Sequence, residues 1–172
     1  ANAGLEPYSE MYASQLAAVF CPDSVPYDVV NYHEKNASKC PLFTNEQYGF
    51  APTYKCIGVE AGIAQTLQYF SSIGSENAFR RMLVLDALIV NTDRHKGNYG
   101  ILFQTDTLQP IKMAPVFDHN QSLLPYVMED DFRDLDSYLS EKISTNRYRL
   151  FRNCSHGNDS RYKIRSKKFT GL

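Results

Sequence analysis

Apolar residues at Ala13, Leu16, Ala17 and Phe20 recur at spacings of three and four, which predicts a helix from Glu10 to about Phe20 with one face to bury. Ser9 stands where its N-cap would be. The stretch "PDSVP" breaks that pattern, and "YDVVNYH", Tyr27 to His33, is dense enough in β-branched and aromatic residues to predict a strand. From Glu34 to Tyr54 proline and glycine punctuate a stretch without clear period, the pattern of a long loop. A helix is predicted from Val59 to Ile73, ended by Gly74, and Ser75 would cap the next, "ENAFRRMLVLDALIV". In its first half Phe79, Met82 and Leu83 share a face that Arg80 and Arg81 avoid. Its second half is apolar nearly all round, as in a helix that plunges through a core. The period then changes. "YGILFQ" and "QPIKMAPVF" predict two short strands joined by the polar turn "TDT", and a last helix is expected from about Asp131 to Ile143. Residues 144–172 form a polar, basic tail.

Composition narrows the class without deciding it. A chain of 172 residues, 43% of them hydrophobic, suffices for one domain with a real core but not for two. Eighteen basic residues nearly balance 19 acidic ones, so no global field points to nucleic acid or a membrane, and the basic end "RYKIRSKKFTGL" reads as a solvated terminus. No stretch approaches the roughly 18 uninterrupted apolar residues of a membrane helix, and "ANAGLEPYSE" lacks the pattern of a signal peptide. Cys21, Cys40, Cys56 and Cys154 show no C-x-x-C spacing and read as free thiols of a cytoplasmic protein.

The chemistry concentrates after the long apolar run. "NTDRHKGNYGIL", Asn91 to Leu102, sets an acid, two bases, a histidine and two asparagines within eight positions. Packing does not need such a cluster. Phosphoryl transfer does: a carboxylate to orient the attacking hydroxyl and take its proton, oxygen ligands to hold Mg²⁺ on the nucleotide phosphates, and positive charge near the transferred group. Asp93 and Asn98 are five residues apart, the interval between the base Asp and the metal-binding Asn in H-R-D-x-x-x-x-N. The two predicted strands would return Asp118 to the same place. Asp93 and Asn98 alone would equally suit a braced turn after a buried helix; Asp118 is what favours chemistry. Asp86 reads as a hydrogen-bond partner of nearby backbone or loop, and His33, His119 and His156 as ordinary polar residues, His119 adjoining the candidate ligand.

"LIVNTDRHKGNYGIL" followed by "IKMAPVFDHNQSLL" resembles the catalytic and metal-binding segments of HipA-like serine/threonine kinases, whose loop carries N-x-D-R-H-x-x-N. "VPYDVVNYHEKNASKCPLFT" is similar to the segment that precedes that core in bacterial members, and the likeness extends over roughly residues 5–143. It implies an α+β, mainly helical fold: the C-terminal lobe of a protein kinase with a short catalytic β-hairpin, as a single unit over 1–172. It implies Asp93 as catalytic base, Asn98 and Asp118 as Mg²⁺ ligands, and His95 or Lys96 as the polar or charged group near the transferred phosphate. Glu10 is similar in placement to the Glu that pairs with the nucleotide-anchoring Lys. The same resemblance implies ATP and Mg²⁺ as cofactors, a Ser/Thr hydroxyl on a protein as acceptor, and an antitoxin protein as partner. The glycine-rich loop and the Lys-bearing strand have no counterpart in these residues, so the chain alone is expected to be weakly active or inactive. Two alternatives stand beside this reading: a lipid or small-molecule kinase, because D-R-H is shared with phosphatidylinositol-kinase-like enzymes, and a catalytically dead interaction module.

Overall fold

The computed structural model describes residues 4–141. Helix α1, Glu6–Phe20, begins three residues before the position expected of a Ser9 cap. Pro7 suits a first helical turn, where its missing N–H costs nothing, and the Glu6 carboxylate turns back to accept the Gly4 N–H at 2.8 Å. Ser9 therefore lies inside the helix. The face that α1 buries is small and partly polar: Pro7, Ser9, Glu10, Ala13, Ser14 and Ala17. Leu16 and Phe20, expected on that face, are 44% and 39% exposed.

The stretch expected to be a loop carries strands instead. Strands β1, Asp28–Tyr32, and β2, Lys35–Lys39, pair antiparallel, with Tyr32 opposite Lys35. The two residues between them, His33 and Glu34, both adopt positive φ (49° and 61°), the backbone of a tight type I′ turn. Such turns usually announce themselves as Asn-Gly or Asp-Gly, so this one left no mark in the sequence. Strand β3, Tyr48–Pro52, follows an Asx turn in which Asn45 Oδ1 accepts the N–H groups of Gln47 and Tyr48 at 2.8 and 2.9 Å. It runs into the short helix α2, Thr53–Ile57.

Helix α3 spans Ile63–Ser72 and is shorter at its start than the pattern predicts, because Gly62 opens it with its N–H donated to Gln65 Oε1 at 2.9 Å. Its end is as expected. Gly74, at φ 70°, lets the Ser75 N–H reach the Phe70 carbonyl at 2.7 Å and close the last turn. Helix α4 spans Glu76–Leu88. Ser75 holds the N-cap position, but its hydroxyl accepts the Met113 N–H at 2.9 Å and makes no cap bond.

Strands β4, Gly100–Gln104, and β5, Pro110–Met113, complete a three-stranded antiparallel sheet in the order β3-β4-β5. Gly100 faces Pro52 so closely that a Cβ there would overlap the Ala51 carbonyl. The core lies between this sheet and α1, α3 and α4. Phe70 stacks on Phe79 with ring centroids 5.0 Å apart, and Met82, Leu85, Ile89, Ile101, Met113 and Val116 close around them. The second half of α4 does not plunge through that core: Val84 and Leu88 are 54% and 57% exposed, so the helix keeps one face outside.

After β5 a parallel bridge between Ser24 and Val116 ties the exit of the sheet to the exit of α1. A 3₁₀ turn over Glu129–Asp134 precedes helical residues 135–141, where one α-helix from Asp131 to Ile143 was expected. Ile143, Cys154, His156 and the basic tail lie outside the described residues. The architecture is a mixture of helices and two small sheets. No helix among the described residues is long and apolar enough to cross a membrane.

Candidate active site

Helix α4 ends abruptly. Val90 takes a left-handed conformation (φ 51°), and the Asn91 N–H returns to the Asp86 carbonyl at 2.9 Å. The chain therefore turns sharply into the segment 91–98. Asn91 braces it, its Oδ1 accepting the Asp93 N–H at 3.0 Å and its Nδ2 donating to Asp86 Oδ1 at 3.2 Å. The Asp93 carbonyl accepts from the His95 N–H at 2.9 Å and from Asn98 Nδ2 at 3.1 Å. The half-buried Asp93 carboxylate accepts from Gln121 Nε2 at 3.3 Å.

Asp118 arrives from the other side, also at positive φ (62°), with its N–H donated to the Tyr27 hydroxyl at 3.3 Å. Burial pushes its carboxyl above the usual range. Arg94 pulls it down, Asp93 pushes it up, and His95 and a hydrogen bond from Asn98 pull it down again. Asp118 is thus within electrostatic reach of Asp93 and hydrogen-bond reach of Asn98. Glu10 approaches the same place from α1. Its Oε1 accepts the His119 N–H at 2.6 Å, and burial raises its carboxyl to about 7, with the His119 N–H opposing and Asp118 reinforcing.

His95 and Lys96 part company. The imidazole is exposed, accepts the Gly97 N–H on Nδ1 at 3.0 Å, and acts electrostatically on Asp118. Gly97 permits that fold, since a Cβ there would lie 2.7 Å from the ring. The Lys96 ammonium donates to the Val59 carbonyl, between α2 and α3.

Sequence reasoning gave no role to Arg94, yet it is the most connected side chain here. It is 8% exposed. Its guanidinium donates to both Asp86 carboxylate oxygens at 2.9 to 3.2 Å, to the Asn98 carbonyl at 2.9 Å and to the Phe117 carbonyl at 2.6 Å. It also meets His119 Nδ1 at 3.2 Å. Burial first, and Arg94 second, hold His119 down to about 3, so the ring is neutral and takes the Arg94 proton on Nδ1. Its Nε2 and the Ser122 hydroxyl are buried without partners among the described residues. The ordinary polar histidine of the sequence reading is thus wholly buried beside Arg94. Asp86 does bond to the loop that follows it, as expected, through Asn91 and Arg94.

Among the described residues no three His, Cys, Asp or Glu side chains converge as a metal cage. The Asp118 carboxyl does, however, lie within electrostatic reach of the Asp93 carboxylate and hydrogen-bond reach of the Asn98 side-chain amide. That donor set is hard, and it suits an ion such as Mg²⁺, which keeps several waters and takes its remaining ligands from phosphate oxygens.

Comparison with known proteins is informative only at the level of shape. No family model and no curated protein matches the chain. Among solved structures, that of a proinflammatory kinase, CtkA, from Helicobacter pylori superposes with a TM-score of 0.65 at 20% identity, over 86% of this chain and 57% of that one. The fold is kinase-like. The chain spans a little over half the length of that kinase.

Proposed function

We propose that this chain is the catalytic-loop portion of an ATP- and Mg²⁺-dependent protein kinase of the HipA-like kind, acting on a Ser or Thr hydroxyl. One observation supports the reading: on a kinase-like fold, the Asp118 carboxyl feels the charge of Asp93 and a hydrogen bond from Asn98, two residues of a loop distant in the sequence. Asp93, braced by Asn91 and Gln121, orients the acceptor hydroxyl and takes its proton. Asn98 Oδ1 and the Asp118 carboxylate are the oxygens that would hold Mg²⁺, which when bound offsets charge on the nucleotide phosphates. His95, exposed at the mouth, supplies a polar contact for the transferred group; Lys96, turned to Val59, is the poorer candidate. Glu10 holds the His119 backbone and so steadies the segment that bears Asp118. An antitoxin partner and a cytoplasmic location belong to the same proposal.

The test is labelled ATP with the full-length parent protein and cell lysate. Label on protein Ser or Thr, lost with Asp93→Asn, is the expected result. Label in a lipid extract and none in protein would replace the acceptor. Label unchanged by Asp93→Asn would overturn the assignment of the base.

A further inference from the structure

We propose that Arg94 is a positioning residue that sets the separation of the two metal-ligand candidates, an inference that rests on the kinase reading of the site. One nitrogen, Nη1, donates both to the carbonyl of Asn98 and to the carbonyl of Phe117, the residue immediately before Asp118. The other terminal nitrogen meets the ring of His119, the residue immediately after it. A single planar group therefore holds the backbone just before Asp118, the side chain just after it and the backbone of Asn98 itself. The plane is fixed from below by Asp86 on α4, whose carboxylate is wholly buried and takes both Nε and Nη2. Rigid fork geometry is what distinguishes arginine from lysine in such a role: an ammonium has three donors on a flexible stem and cannot hold four acceptors in one plane.

A buried ion pair that merely stabilises can be exchanged for an apolar pair of similar size with little loss, whereas removal of one partner leaves a stranded charge. That difference separates the two roles. In the full 172-residue chain, Asp86→Leu with Arg94→Met should stay folded yet scatter the carbonyls that Arg94 gathers. The probe is Mn²⁺ alone, titrated while the backbone amide signal of Asp118 and the side-chain amide signals of Asn98 are followed for paramagnetic broadening. Wild type should broaden at both, and Asp118→Asn should abolish the effect. The double variant should need about ten- to a hundredfold more Mn²⁺, the usual cost of losing the outer support of a metal site. Arg94→Lys, which keeps the charge opposite Asp86, should show a loss of the same order and serves if the double variant does not fold. If wild type does not broaden at these signals, the metal-site reading itself fails. If wild type broadens and the variants match it, the metal site stands and Arg94 has no positioning role.

Discussion

At the scale of single residues, the site shows which letters carry chemistry openly and which hide it. On the proposed function, Asp93→Asn keeps shape and removes the proposed base; kinase turnover should fall by about a hundred- to ten-thousandfold, the range of general-base contributions, with little change in the melting temperature. Glu10 makes a prediction about pH. Its carboxyl, ordinarily near 4.5, titrates near 7 in the fold, so the folded state holds that proton more tightly than the unfolded chain does. Its contribution to stability is complete below about 4.5 and is lost as pH rises through 7. In metal-free buffer the melting temperature of Glu10→Gln should match wild type at pH 4 to 5 and exceed it at pH 8; equal values at both would show that folding does not raise the Glu10 carboxyl. Asp93, Asn98 and Asp118 could be singled out as candidates because spacing survives in one dimension. Arg94 could not. An arginine between an aspartate and a histidine in a polar loop looks solvated, and although Asp86 inside its apolar helix pointed to a partner in a nearby loop, nothing in the sequence named Arg94, eight residues on, as that partner.

At the scale of elements, apolar periodicity located α1, α3 and α4 and the two strands around "TDT", but it misjudged which face of α1 is covered. Ser9 and Glu10 are buried because they hold the carbonyls of Ser122 and His119 and the His119 N–H, and partners so distant in sequence leave no periodic trace. The β1–β2 hairpin was missed for a local reason, its turn being made by His33 and Glu34 in a conformation that costs L-residues roughly 1–2 kcal/mol each. Replacing them with Asn and Gly should recover about 1–3 kcal/mol, visible as a higher denaturant midpoint at unchanged slope. The opposite test lies in the larger sheet. Gly100→Ala places a methyl against the Ala51 carbonyl, so β3 and β4 must separate, and a loss of about 1–3 kcal/mol is expected.

At the scale of the molecule, the shape is shared with a kinase while the sequence matches no family model or curated protein. The agreement is reasonable physically: a core tolerates many apolar substitutions that keep its volume, whereas a phosphotransfer site fixes only a few donors and their spacing. Binding at that site should register globally. Mg²⁺ with ATP should raise the melting temperature of the chain, because a ligand held only by the folded state stabilises it, and Asp118→Asn should erase the increment that depends on Mg²⁺.

The first helix has a further consequence. Ser9 grips two carbonyls of the stretch around Asp118, Glu10 grips an amide in it, and the Ser24–Val116 bridge fastens the helix's far end to the same stretch. These attachments tie α1 to that stretch at both ends. Its outer side, where Tyr12, Leu16 and Val19 face outward, is thus joined through the helix to the residues that follow Asp118.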